Sequence, residues 1–304
     1  MRVAVVDIGS NTTRLLIADI AGVQIRRRIS RRVVTSLARD ILKTSNLYPK
    51  GKVKTLRALR EFTELCSLMQ CQQIYAIGTS ALRESGDGPE FIREIEALYG
   101  IKTEVISGQR EAALTYLGIA DSVSVKAPVL IIDVGGGSTE WVLKTSDQLS
   151  SASLPIGALK IRDLFLLDDP PTEEEIRVAK DHINAQILKT ALKGLMNMQP
   201  MQLIATGGTA ATLACIDLSL SRYNGNKIHL HSIEGDRLNS LLQRLKATPV
   251  QGLNQIKGLD KKRAEIIVGG ALIIEVFMEL SKSRGMVVSD YGLLEGYLLE
   301  KCTQ

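Results

Sequence analysis

Three short runs combine glycine with small hydroxyl or amide residues: Asp7-Ile8-Gly9-Ser10-Asn11, Asp133-Val134-Gly135-Gly136-Gly137-Ser138-Thr139 and Ala205-Thr206-Gly207-Gly208-Thr209. Glycine lets the backbone fold tightly and turn successive N–H groups toward an anion. A helix beginning after such a turn adds the partial positive charge of its N-terminus. One run of this kind is an ordinary turn. Three in one chain, two of them led by aspartate, point to phosphate.

Carboxylates supply the second ingredient. Asp7 and Asp133 stand at the ends of apolar runs that read as strands, where a carboxylate can meet Mg²⁺ held largely by water and substrate oxygens. Glu140 lies on the strand returning from the Asp133 turn, so a hairpin can bring it to the same mouth; alone it also reads as a surface strand residue. Glu111 falls in the first turn of a helix opened by Ser107. There it is either an acid favoured by the helix dipole or a base. Arg83 follows a strand directly, a position suited to a cation aimed at phosphate and also to a solvated helix residue.

The elements that carry these residues repeat. Val3–Arg14 aligns without gaps on Val129–Glu140: an apolar strand, Asp-x-Gly, a small-residue turn, then a second strand (Leu15–Ile20; Trp141–Lys144). Two copies in one chain indicate a duplicated domain. Strands at Ile74–Gly78, Lys102–Ile106 and Gln202–Thr206 alternate with helices at Lys52–Gln70, Pro89–Tyr99, from Gly108, Leu159–Leu166, Thr172–Leu192, Gly208–Leu218, Asp236–Lys246 and Lys262–Lys282. That alternation predicts an α/β protein with mixed, helix-covered sheets. The boundary is expected at Ala120–Ala127, giving domains 1–120 and 121–290. A closing helix within 291–304 is expected to dock back on the first.

At 304 residues the chain has room for two domains. No signal-like N-terminus and no apolar run near 20 residues is present, so a soluble, unsecreted, cytoplasmic protein without membrane partners is expected. Cys66, Cys71, Cys215 and Cys302 lack CxxC spacing and read as reduced thiols. His229-x-His231 would place two rings on one strand face, but no further metal ligands lie nearby. Net charge is +5, with basic clusters at 26–32, 50–60 and 261–263. Singly these read as solvated faces; together they suit a polyanion, with no nucleic-acid-binding signature beside them.

These motifs, with Thr79-Ser80-Ala81-Leu82-Arg83, Ser107-Gly108-x-x-Glu111-Ala112 and Ser289-Asp290-Tyr291-Gly292-Leu293-x-Glu295-Gly296, occur in the order seen in the Ppx/GppA phosphatases, which the chain resembles over its whole length. The resemblance implies duplicated actin-like (ribonuclease H-like) α/β domains with an interdomain cleft, and hydrolysis of the terminal phosphoanhydride of inorganic polyphosphate. It also admits conversion of pppGpp to ppGpp, a stringent-response link, Mg²⁺ or Mn²⁺ as cofactor, and a homodimer. It assigns Glu111 as general base and Asp133 and Glu140 to metal and catalysis, with Asp7 a further metal candidate. Gly9, Ser10, Asn11, Arg83, Gly135, Gly136, Gly137 and Ser138 would line the phosphates, with Gly208 and Thr209 as further candidates. Three places depart from the family pattern. Ser36-Leu37-Ala38-Arg39-Asp40 replaces a common Arg-Leu-Gly-Glu-Gly, Arg110 stands where an acid is frequent, and Lys160 where arginine is. A polyphosphate- or (p)ppGpp-binding regulator with weak hydrolysis, and a kinase of the same superfamily, are the competing expectations.

Overall fold

The computed structural model describes residues 1–22, 24–192 and 201–302. The chain forms two compact units, Met1–Ile119 with Leu293–Gln304, and Ala120–Gly292.

In the first unit, β1 (Arg2–Ile8), β2 (Thr12–Ala21) and β3 (Gln24–Val34) form an antiparallel meander. β4 (Gln73–Gly78) and β5 (Thr103–Val105) then add in parallel, giving the order β3-β2-β1-β4-β5. β1 is apolar from Val3 to Val6 because it lies between two neighbours and is buried along nearly its whole length. The helices are α1 (Ile41–Thr44), α2 (Pro49–Leu68), α3 (Ser80–Glu84), α4 (Gly88–Tyr99) and α5 (Gly108–Ala120). Proline opens both α2 and α4 in the first turn, where its missing N–H is not needed, and Gly100 at φ 66° stops α4.

The second unit repeats this plan. β6 (Val129–Val134), β7 (Thr139–Lys144) and β8 (Leu149–Leu154) form the meander, α6 (Ala158–Phe165) and α7 (Glu173–Leu188) follow, and β9 (Gln202–Thr206) leads into α8 (Gly207–Asp217). Next come α9 (Gly225–Ile228), β10 (His231–Glu234), α10 (Gly235–Lys246), α11 (Val250–Leu253), a single 3₁₀ turn at Lys261–Arg263, α12 (Ile267–Ser281) and β11 (Gly285–Val288). The sheet order β8-β7-β6-β9-β11 is that of β3-β2-β1-β4-β5, with β10 added antiparallel at the far edge. The expected duplicated actin-like α/β fold is therefore present. α12 is apolar almost throughout and nearly all buried. Its Gly269 and Gly270 admit backbone contact, since a Cβ there would come within 2.6 Å of Ala158 O and 2.3 Å of Thr209 Oγ1.

Finally α13 (Leu293–Cys302) packs on the first unit's sheet: Leu293, Leu294, Tyr297 and Leu298 join Val3, Val5, Leu16 and Ala18 in one core. Burying such side chains stabilises by about 1.5–3 kcal/mol each. Gly296 permits the fit, for a Cβ there would meet Leu114 O at 1.8 Å.

Some sequence expectations need correction. The helix expected at Lys262–Lys282 begins at Ile267, behind a 3₁₀ turn capped by Asp260, whose Oδ1 accepts from Lys262 N at 3.0 Å. β3, β8, β10 and β11 were not legible. Among the described residues, no helix is long and apolar enough to cross a membrane.

Candidate active site

In the first unit the β1–β2 turn is held on both sides. Gly9 N donates to Thr12 O at 3.2 Å; Thr35 N and Ser36 N both donate to Asn11 O at 3.0 Å, and Ala38 N donates to Ser10 O at 2.8 Å. The 36–40 segment thus braces the turn through its backbone, and Ser36 Oγ also donates to Asn11 Oδ1 at 3.4 Å. Arg39 lies over the Tyr48 ring, 6.0 Å from its centroid. Ser10 and Asn11 are buried, and Asn11 Nδ2 has no hydrogen-bond partner. A buried orphan donor is costly, about 1–3 kcal/mol. An oxyanion in the turn would satisfy it.

One row below, Asp7 and Arg14 face each other in register. Arg14 Nε and Nη2 both lie 2.8 Å from Asp7 Oδ2, while Oδ1 is buried without a partner. Burial pushes the Asp7 carboxyl above its ordinary range despite the opposing pull of Arg14. Asp7, one of the three carboxylates expected at a metal, is thus matched to a guanidinium.

Arg83 and Glu111 come together from separate helices. Arg83 Nη1 donates to Ile106 O at 2.8 Å and stands 3.4 Å from Glu111 Oε2. Glu111 is 7% exposed and fixed in the first turn of α5, its N–H donating to Ser107 O at 2.9 Å. A buried carboxylate steered by an arginine anchored to a carbonyl can orient a water and accept its proton. Arg110 is engaged elsewhere: Nη1 holds Glu104 and Nη2 holds Glu300 at 2.7 Å, while the Tyr297 hydroxyl donates to Glu104 at 3.0 Å. Burial alone would raise the Glu104 carboxyl, but Tyr297 and Arg110 outweigh it and hold it below its usual range. This departure from the family pattern fastens α13 beside α5.

The second unit reproduces the turn with different charge. Gly135 N donates to Ser138 O at 3.0 Å, and a Cβ on Gly135 would lie 2.9 Å from that oxygen, the same clearance that Gly9 has to Thr12 O. α6 closes on the turn from outside: Ala158 N and Leu159 N donate to Gly135 O and Gly136 O at 2.9 and 3.0 Å. With these carbonyls engaged, the amides of Gly136, Gly137 and Ser138 take no part in those bonds and suit an anion. Lys160 is buried in the first turn of α6.

Asp133 is opposite Glu140 where Asp7 is opposite Arg14. Ser153 and Thr206 flank the pair in the same cross-strand row, and Ser153 Oγ donates to Glu140 Oε1 at 2.6 Å. Like charges directly opposite each other on a sheet are unfavourable unless a cation or proton intervenes. Among the described residues, no group of three or more His, Cys, Asp or Glu is arranged to hold a metal. Two carboxylates completed by water and phosphate oxygens are a donor set that fits Mg²⁺.

Gly207, at φ 87°, lets the Asp133 carboxylate lie against the start of α8, for a Cβ there would sit 2.3 Å from Asp133 Oδ1. Gly208 is overlaid by the Arg263 guanidinium, 2.2 Å from where its Cβ would be, and Thr209 is buried beside them. Sequence reasoning left Arg263 in a solvated basic cluster. The Asp260-capped turn instead directs it inward, 8% exposed, while Lys261 and Lys262 stay outside. The Asp260-x-x-Arg263 spacing was the available signal. His229 and His231 do not share a face: the first packs on the Tyr291 ring with centroids 4.7 Å apart, and the second pairs with Asp217 at 2.7 Å.

The sequence pattern described as the Ppx/GppA phosphatase family matches residues 16–304. The chain is 30% identical over 317 residues to a protein named exopolyphosphatase 2 of Mycobacterium tuberculosis, with 98% of each chain covered. Among solved structures it is similar to an exopolyphosphatase from Cytophaga hutchinsonii (TM-score 0.91, 27% identity, 99% and 98% covered). It is also similar to the Ppx/GppA enzyme of Aquifex aeolicus (TM-score 0.81, 29% identity, 99% of each covered).

Proposed function

The chain belongs to the Ppx/GppA phosphatase family, and we propose that it is an exopolyphosphatase, releasing orthophosphate from the end of inorganic polyphosphate. The observation that carries this reading is the charge inversion between the duplicated rows, Asp7–Arg14 in one and Asp133–Glu140 in the other. A binding module would need only cations and amide turns. A buried carboxylate pair, with Glu111 held against Arg83, adds what hydrolysis requires.

In the proposed reaction Glu111 accepts a proton from water as its oxygen bonds to the terminal phosphorus. The bridging P–O bond breaks, and the electron pair stays on the shortened chain. Arg83 keeps Glu111 oriented, and the glycine-turn amides of each unit, with Asn11 in the first and Arg263 in the second, would each neutralise phosphate oxygens, where positioning and charge do most of the work. Mg²⁺ or Mn²⁺, held by Asp133 and Glu140 with water, would supply further neutralisation of the phosphate oxygens. Guanosine pentaphosphate carries the same kind of terminal anhydride and is the second substrate to test.

The test measures phosphate release from long-chain polyphosphate, tripolyphosphate and pppGpp, for the native protein and Glu111→Gln. Turnover should fall about 10²- to 10⁴-fold in the variant with KM little changed. Release by the native protein from none of the three substrates would remove the hydrolase reading in favour of a binding role. Equal turnover in the variant would remove Glu111 as the base.

A further inference from the structure

We infer that Ser36 is a positioning residue for phosphate binding, its hydroxyl fixing the Asn11 carboxamide so that the NH2 group is offered to a phosphate oxygen; the inference rests on the exopolyphosphatase reading. Asn11 is 6% exposed, and its Nδ2 has no hydrogen-bond partner. Its Oδ1 accepts from Ser36 Oγ at 3.4 Å. A carboxamide carries its acceptor on one side and its two donors on the other. A hydroxyl donating to Oδ1 therefore holds the orientation in which the NH2 is left to bind an anion. Without that hydroxyl Oδ1 loses the Ser36 bond, and the buried amide loses what sets its sense.

The backbone at this position gives the second observation. Ser36 adopts φ 55°, in the left-handed region, where glycine is at ease and a residue with a Cβ is strained. The segment is held in that shape from two sides. Toward the turn, Thr35 N and Ser36 N donate to Asn11 O, and Ala38 N donates to Ser10 O. Toward α2, fully buried Leu37 accepts through its carbonyl from Tyr48 N at 2.9 Å. Gly51 of α2 lies so close that a Cβ there would be 2.9 Å from Leu37 Cα. The hydroxyl is thus carried on a braced segment rather than a free loop. For the backbone alone glycine would serve better at position 36. A serine kept in a strained conformation, with its hydroxyl on Asn11, leaves that hydroxyl as what the position contributes.

The experiment compares Ser36→Gly, Ser36→Ala, Asn11→Ala and the combined Ser36→Gly with Asn11→Ala against the native protein. It measures KM and kcat for long-chain polyphosphate, with thermal melting alongside. Ser36→Gly should raise KM about two- to ten-fold, the worth of one neutral hydrogen bond, with kcat changed by less than about two-fold. Its melting temperature should be no lower than that of the native protein, because glycine relieves the positive φ. Ser36→Ala should raise KM by the same factor. In the Asn11→Ala background, Ser36→Gly should change KM by less than about 1.5-fold, since the hydroxyl then has no amide to hold. Should Asn11→Ala not fold, Asn11→Ser takes its place in the cycle. A native KM in both Ser36 variants would overturn the proposal. So would losses that multiply in the combined variant, because Ser36 would then act independently of Asn11. A KM rise in Ser36→Gly accompanied by a lowered melting temperature would assign the serine to the fold and overturn it as well. If the native protein releases no phosphate, the hydrolytic reading fails on that result alone. Equilibrium binding of long-chain polyphosphate to the same variants then decides the role of Ser36 by the same contrast.

Discussion

Replacing Arg14 with methionine takes the guanidinium away from Asp7. Asp7 is 3% exposed, its Oδ2 meets Arg14 twice at 2.8 Å, and its Oδ1 has no partner. Removing the guanidinium strands a buried carboxylate, which costs about 3–5 kcal/mol in an enclosed site. Arg14 is 32% exposed, so water can replace part of it and the lower end, about 3 kcal/mol, is expected at pH 7. The sign with pH follows from Asp7, whose folded-state pKa is raised by burial. A raised carboxyl leaves stability fully present below its unfolded value near 3.8 and loses it as pH rises through the folded value. In Arg14→Met the raising is larger, so the deficit against the native protein should shrink as pH is lowered from 7 toward 4. Asp7→Asn in the same chain should recover most of the loss at pH 7. Urea unfolding read by far-UV circular dichroism measures it. Trp141, the only tryptophan, is buried in the second unit, and its fluorescence should report a transition that moves less. A loss under about 1 kcal/mol, or a deficit independent of pH and unrescued by Asp7→Asn, would refute this account.

Glu140→Gln should abolish most turnover and weaken Mg²⁺ activation, read as phosphate release across a Mg²⁺ series, and unchanged turnover would remove Glu140 from the metal. Gly207→Ala should cost stability and activity together, since it strains a φ of 87° and places a Cβ 2.3 Å from Asp133 Oδ1, whereas Gly22→Ala, also at positive φ but with no atom within 4 Å, should cost only about 1–2 kcal/mol of stability in the same melt. Arg263→Gln should raise KM about ten-fold or more through loss of a charged hydrogen-bond donor at the α8 turn, and an unchanged KM would remove Arg263 from the anion site. Arg110→Ala should cost no more than about 1–2 kcal/mol, because both of its partners are partly exposed. That cost should fade as pH drops through the depressed Glu104 value, since stability from a lowered carboxyl is present above its ordinary range and lost on acidification.

The paired Asp-x-Gly hairpins were legible because a strand buried on both faces must be apolar, and because tight turns need glycine or small polar residues. Both requirements are written locally in Val3–Asn11 and Val129–Ser138. β3 was not, because its inward positions alternate with arginines whose direction depends on the pairing partner, and register is a non-local property. β10 and β11 are four-residue strands with too few positions to show a period. The role of Arg263 escaped for a related reason: a run of Lys-Lys-Arg reads as solvated until a 3₁₀ turn sends one member inward. The partner of Asp7 could have been found, since the gapless repeat already aligned Arg14 with Glu140. What it lacked was the register that puts each directly opposite its aspartate.

The return of α13 to the first unit has a consequence for synthesis. The core around Val3, Val5 and Leu16 is completed only by Leu293, Leu294, Tyr297 and Leu298, and the whole second unit, Ala120–Gly292, is translated in between. At 5–20 residues per second, that leaves one face of the first sheet unroofed for on the order of ten to thirty seconds. The helix bearing Glu111 has its Gly118 and Leu114 backbone waiting for Gly296 during that time. The proposed base would gain its final packing only as α13 emerges, which ties the onset of activity to synthesis of a segment about 180 residues downstream of Glu111.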